Sequence, residues 1–173
     1  MFVDEVQVTL TAGRWGDGIV SWRREKYIPK GGPWGWNGGN GGDIILYADP
    51  NHNTLSDFRY KNVFLGQDGQ NGGMNNMNGA NAPDLTLSVP VGTLVKNTNG
   101  ELLHDLSTPH ESLRICRGGR GGYGNSHFTS STRQKPNFAE RWDRGETIEV
   151  ILELKLVADI GIIWLPSAGK STL

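Results

Sequence analysis

The chain is nearly devoid of cysteine. Cys116 is the only one in 173 residues, which excludes an intramolecular disulfide framework and suits a reducing compartment, because small secreted domains with thin cores depend on several bridges. An intracellular, cytoplasmic protein is expected. No apolar run approaches the roughly 20 residues of a membrane span, and the amino terminus, MFVDEVQVTLT, alternates instead of passing from a charged to an apolar stretch as a signal peptide does. A membrane partner is therefore not expected. Convincing helical periodicity with caps is missing before residue 156, which argues against a helical bundle. His52, His104, His110 and His127 do not fall at metal-ligand spacings, and the lone cysteine has no local partner that would make it a nucleophile. The net charge of -1 gives no global attraction to nucleic acid.

What the chain has in excess is glycine, 25 residues, about twice the average usage of roughly 7%. Six tryptophans accompany them. Between the glycines, alternating apolar positions mark strands, because successive side chains on a strand point to opposite faces. Val6, Val8 and Leu10 form one such run; Ile44 to Tyr47, Leu85 to Val91, and Leu113 with Ile115 form others, and the clearest is Ile148, Val150, Leu152, Leu154 and Leu156. The expected fold class is all-β, a half-buried sheet or barrel assembled from non-local strands. The glycines themselves are ordered: Gly32, Gly35, Gly38 and Gly41 recur at every third residue, as do Gly66, Gly69 and Gly72, and Gly118, Gly121 and Gly124. Three is the period of the polyproline II helix, whose backbone makes no internal hydrogen bonds and must pair with neighbouring chains or water. Several such segments packed side by side are expected; flexible linkers are the competing reading of the same composition.

Basic residues are clustered. Arg23, Arg24, Lys26 and Lys30 lie within eight positions, and Arg114, Arg117, Arg120, Arg133 and Lys135 make a second basic stretch. Either reads equally as a solvated face or as a phosphate-contacting patch. At the carboxyl end, a nearly continuous apolar run leads into Gly169, Lys170 and Ser171. Strand, glycine turn and Gly-Lys-Ser is the opening of a P-loop, in which backbone N–H groups cradle phosphates, the lysine reaches the β and γ phosphates, and the serine hydroxyl ligates Mg²⁺. The corresponding site residues are Trp164, Leu165, Pro166, Ser167, Ala168, Gly169, Lys170 and Ser171, with Ser171 as the metal ligand.

The blocks FVDEVQVTLTAGR, SWRREKYIPKGGP, GGNGGD, LRICRGGRGGYGNSHF, ELKLVADIGII and LPSAGKST span nearly the whole chain, and in this order they resemble the amino-terminal region of the Obg GTPases. The resemblance implies an Obg fold over residues 1–156, a β-barrel carrying a bundle of glycine-rich polyproline II segments. It also implies the first strand of a truncated α/β G domain over 157–173. It further implies a monomer that binds the large ribosomal subunit and its rRNA during assembly, in a GTP-dependent manner with Mg²⁺ as cofactor, and that responds to guanine alarmones. Arg23, Arg24, Lys26, Lys30, Arg117 and Arg120 would contact RNA phosphates, and Tyr27, Tyr123 and His127 would stack on unpaired bases.

Two departures qualify the resemblance. The chain stops at Leu173, before the switch and guanine-specificity elements, so no catalytic residue, no turnover and no bound GTP or Mg²⁺ are expected of these residues alone. Tryptophan also stands where the family pattern has glycine, at Trp15, Trp36, Trp142 and Trp164; Trp34 replaces a small or acidic residue and Trp22 a phenylalanine. A ring at Trp164 obstructs a loop that needs a tight glycine turn, and each packed ring costs about 1–3 kcal/mol. Engineering or a misread sequence explains the pattern better than natural variation. The alternative function, a structural or ice-binding polyproline II bundle, accounts for the glycine period but not for the basic block or the P-loop start.

Overall fold

The computed structural model describes residues 4–23, 26–27, 31–74, 77–141 and 144–155. Eight strands follow in chain order, β1 (Glu5–Thr11), β2 (Ile44–Asp49), β3 (Val63–Leu65), β4 (Leu85–Pro90), β5 (Thr93–Asn97), β6 (Leu102–Leu106), β7 (Ser112–Cys116) and β8 (Thr147–Leu154), with one helix, α1 (Ser56–Tyr60), before β3. The chain is thus all-β in the sense expected. The ladders make two sheets, a five-stranded one in the order β3-β1-β8-β5-β6 and a three-stranded one in the order β4-β2-β7. Among the described residues no ladder joins them into a closed cylinder.

Alternation explains which strands form and which faces they bury. Val8 and Leu10 on β1 pair with Val150 and Ile148 on β8, and β8 carries Val150, Leu152 and Leu154 inward. Ile44, Leu46 and Ala48 on β2, Leu87 and Val89 on β4, Val95 on β5 and Leu106 on β6 complete one continuous core, closed at one side by Leu55, Phe58 and Phe64. Cys116 joins this core with its thiol donating to the Leu10 carbonyl at 3.6 Å. Burial pushes its pKa up to about 11, so it is an inert packing residue.

The structure departs from the sequence reading in four places. The run at Leu85 to Val91 ends at Pro90, because the chain reverses through Gly92, whose φ of 88° favours glycine. The last run is a strand only to Leu154, and Leu156 lies outside the described residues. Strands β3, β5 and β6 were not legible in the sequence. Helix α1 is too short to leave a periodic signal. No helix among the described residues is long and apolar enough to cross a membrane.

Candidate functional site

The glycine-rich segments leave the sheets on the side where β1 ends and β2 begins, and they are neither strand nor loose linker. They are extended, and their backbones bond to one another at every third residue. Residues 13–19 run antiparallel to 36–42, with Gly13 N donating to Gly42 O at 3.0 Å, Gly16 N to Gly39 O at 2.8 Å and Ile19 N to Trp36 O at 3.2 Å. They run parallel to 119–125, where Gly119 N, Gly122 N and Asn125 N donate to Gly13 O, Gly16 O and Ile19 O at 3.0, 3.2 and 3.1 Å. The central segment, 37–43, is built of X-Gly-Gly triplets, and the triplet at Asn40 sends its three N–H groups to three different neighbours. Asn40 N donates to Asn81 Oδ1 at 2.8 Å, Gly41 N to Gly119 O at 2.9 Å and Gly42 N to Gln67 O at 2.9 Å. A backbone without internal bonds satisfies its donors this way, and no N–H of the triplet is wasted.

Glycine is required because the neighbours come so close. A Cβ placed on Gly38 or Gly41 would lie within 3.0 Å of the Gly16 or Gly13 carbonyl, and one on Gly121 would lie equally close to the Gly38 carbonyl. The first place of each triplet has its own rule, which the sequence reading missed. Asn37, Asn40 and Asp43 point their side-chain oxygens at the next segment and accept from Gly124 N, Gly121 N and Gly118 N at 2.9, 2.7 and 2.7 Å. Asp68 and Asn71 accept likewise from Arg14 N and Asp17 N, each at 2.8 Å. The signal was present as Asx at three-residue spacing, but Asn among glycines reads as linker composition.

Asp68 also takes the Arg14 guanidinium, with Nε donating to Oδ2 at 2.9 Å, and this hydrogen bond holds the carboxyl below its ordinary value. A depressed carboxylate stabilises the fold above its unfolded pKa of about 4 and loses that contribution as pH falls through the lower folded value. Both side chains are about half exposed, so solvent screening keeps the pair small. Asp68→Asn should lower stability by less than about 1 kcal/mol and flatten the acid limb of the stability curve in urea titrations between pH 3 and 6. A larger loss at neutral pH would show that the backbone bond to Arg14 N depends on charge. The pair borders a cleft of about 520 Å³ that Thr11, Leu65, Arg144 and Thr147 also line.

Along the segments the expected RNA-contacting residues fall into two groups. Arg117 and Arg120 occupy the first places of consecutive triplets and are exposed, with Tyr123 next in the same row. Arg120 donates to the Tyr123 hydroxyl, and its guanidinium lies 5.2 Å from the ring centroid. Tyr123 and His127, expected to receive bases, stack on each other at 3.8 Å with planes 7° apart. Phe128 meets both edge-on and packs against Phe138 at 4.8 Å, which Arg133 covers at 5.2 Å. Phe128, Arg133 and Phe138 were not singled out as site residues, and non-local chain reversal is what brings them to this row.

The second group is a hairpin closed by Arg23 N donating to Gly32 O at 3.0 Å and Gly31 N to Arg23 O at 2.9 Å. Its turn carries Lys26 and Tyr27; Tyr27 has a φ of 74° and is 89% exposed. Arg23 lies over Trp34 at 5.8 Å. Arg24 and Lys30 lie outside the described residues, as does the whole nucleotide site from Trp164 through Ser171. Among the described residues no group of three or more His, Cys, Asp or Glu side chains gathers to hold a metal.

The strands of the hairpin and the end of the row beyond Tyr123 meet at one buried side chain. Asn125 is fully buried; its Oδ1 accepts from Gly35 N at 2.8 Å and its Nδ2 donates to Ser21 O at 3.0 Å and Pro136 O at 3.2 Å. Three separate stretches of chain meet there.

The model of the GTP1/OBG family matches residues 3–156. Curated proteins named GTPase Obg align with nearly all of the chain: the one from Caldicellulosiruptor bescii is 53% identical over 99% of this chain and 40% of its own length. That from Anaeromyxobacter dehalogenans is 52% identical over 99% of this chain and 49% of its own, and that from Synechocystis sp. is 50% identical over 99% and 47%. The chain therefore spans less than half the length of these relatives. With a family match over most of its residues and relatives at about half identity throughout, the chain belongs to the GTP1/OBG family.

Proposed function

We propose that this chain is the ribosome-contacting part of an Obg-type GTPase acting in assembly of the large subunit, with its glycine-rich end placed against rRNA. In this reading residues 1–156 are the Obg domain, a β-barrel with the glycine segments as a polyproline II bundle. The three-residue bonding register between segments supports the bundle, and the single core between the two sheets supports the barrel. Residues 157–173 begin the G domain of the intact cytoplasmic protein. There GTP would lie against the loop from Trp164 to Ser171, with Lys170 on the phosphates and Ser171 on Mg²⁺; a guanine alarmone would compete for the same nucleotide site.

The observation that carries the reading is the row Arg117, Arg120, Tyr123 on a segment whose N–H groups at 117–119 and 121–125 are already taken by its neighbours. Such a row is rigid without a hydrophobic core of its own and presents guanidinium groups at a fixed spacing, as contact with a phosphate backbone needs. Exposed Tyr27 beside Lys26 offers a ring for an unpaired base. The stacked Tyr123 and His127 instead brace the row.

The test is binding to large-subunit rRNA as a function of salt. Charge reversal at Arg117 and Arg120 should weaken binding about tenfold or more and reduce the salt slope by about 1 for each phosphate no longer neutralised; reversal at Arg23 and Arg24 should act likewise. Affinity unchanged by both pairs and by added salt would sink the proposal.

A further inference from the structure

Two tryptophans stand at glycine places of the triplets. From residue 34 the sequence reads WGW, NGG, NGG, so Trp36 takes the third place of a triplet that is glycine in the next two. Residues 14–16 read RWG against RGG and RGG at 117–122, so Trp15 takes a second place that is glycine in both counterparts.

The backbone at Trp36 keeps the lattice register. Its carbonyl accepts from Ile19 N just as Gly39 O and Gly42 O accept from Gly16 N and Gly13 N. On the other side the same register pairs Gly42 N with Gln67 O at 2.9 Å and Gly39 N with Gln70 O at 2.7 Å, but Trp36 N reaches Gly73 O at 3.4 Å. The bond lengthens at the residue that carries a side chain. A Cβ on Gly39 would strike the Ala80 backbone and one on Gly42 the Pro83 carbonyl. Three residues earlier, the register brings Met77 to Trp36, and there the neighbour turns away, its carbonyl accepting from Gly73 N at 2.7 Å. The ring fits only because the lattice is ending. Trp15 lies in the line of Ala12, which is buried, and Gly18, whose Cβ would meet the Tyr123 carbonyl. Its half-buried indole donates to Arg141 O at 2.9 Å. A line that otherwise carries a methyl group or a hydrogen atom carries a bicyclic ring once.

We propose that positions 15 and 36 are glycine in the protein as its own cell makes it, the codon read here as tryptophan being decoded there as glycine. UGA differs by one base from the tryptophan codon UGG and by one base from the glycine codon GGA, and a cell that has reassigned it as a sense codon can read it either way. One reassigned codon accounts for both rings at glycine places together, whereas independent substitutions would each have to survive the overpacking cost. Trp164, at the first place of the phosphate-loop pattern, belongs to the same set by sequence alone. Trp22 does not: it stands outside the triplets, and its backbone bridges Pro33.

The protein isolated from cells that carry the gene, digested with trypsin, decides this. Cleavage after Arg14 and Arg23 releases one peptide that holds both Trp15 and Trp22. The expected peptide is lighter by the difference between an indolylmethyl group and a hydrogen atom, with glycine at 15 and tryptophan at 22, and the gene has UGA at codons 15 and 36 and UGG at 22. Tryptophan at 15 overturns the proposal; glycine at 22 overturns the selection of sites by lattice position. In the recombinant chain, W15G with W36G should raise Tm by several degrees, and a Tm that stays or falls would remove the steric basis.

Discussion

Asn125→Ala is expected to lower stability by about 3–5 kcal/mol and to release the glycine-rich end while the sheets stay folded. The side chain accepts from Gly35 N and donates to Ser21 O and Pro136 O, all in a site with no solvent access. Alanine leaves these groups buried without partners at about 1–3 kcal/mol each, part of which relaxation or an entering water recovers. Against a total of roughly 5–15 kcal/mol for a domain the loss is large. It is also local, because the core of Leu10, Ile44, Leu46 and Leu152 lies apart from the Asn125 network. Hydrogen exchange should therefore show lost protection at Gly35 and Ser126 N–H, which donates to Gly35 O at 3.1 Å, with β1 and β8 still protected. Asn125→Asp is expected to do no better: a carboxylate can still accept from Gly35 N but cannot donate to two carbonyls, and a buried charge adds its own cost. The hairpin bearing Lys26 and Tyr27 depends on this junction through Ser21 and Gly35, so its share of the rRNA affinity should fall with it. A loss below about 1 kcal/mol, with exchange unchanged, would show that the end is held by the segments alone.

How much of this was legible in the sequence follows from what each element buries. Strands β1, β2 and β8 alternate because one face meets the core and the other meets water, and Val8, Leu10, Val150 and Leu152 could be read directly. Strand β6 reads LLHDL, with Leu102 57% and Leu103 46% exposed and only Leu106 buried, so an edge strand with exposed leucines leaves no alternation to find. The glycine period was legible because the close approach recurs at every third residue. The bonding role of Asn37, Asn40 and Asp43 was not, since nothing in a single segment tells that its side chains face another segment's N–H groups. Arg117 and Arg120 were found because they belong to a basic stretch that runs beside the glycines. Arg133 and Phe138 come to the same face through chain reversal, and no local spacing encodes that.

Gly38→Ala is expected to cost about 4 kcal/mol or more. Its Cβ would fall within 3.0 Å of the Gly16 carbonyl oxygen and carbon and of the Asp17 carbonyl oxygen. All three are backbone atoms, so no flexible side chain can swing aside, and the segments must separate. Separation breaks Gly38 N to Gly122 O and Gly16 N to Gly39 O, adding about 1 kcal/mol for each bond to an overpacking cost of about 1–3 kcal/mol. Gly73→Ala is the control, because its Cβ would meet the Met77 Cβ at 3.1 Å and the Met77 carbonyl oxygen at 3.3 Å, contacts that a shift of a few tenths of an ångström at the exposed Met77 relieves; less than about 1 kcal/mol is expected there. Urea unfolding of the two variants separates a close-packed lattice from a flexible glycine linker, since a linker tolerates both equally and is stiffened by alanine. The same comparison reaches function. Gly122 and Gly121 hold the segment that carries Arg120 and Tyr123, one through Gly38 and the other through Asn40. If the row binds RNA as a rigid unit, Gly38→Ala should lose affinity at salt concentrations and temperatures where Gly73→Ala binds normally. Equal affinity in the two variants would mean that the arginines act as independent, mobile charges.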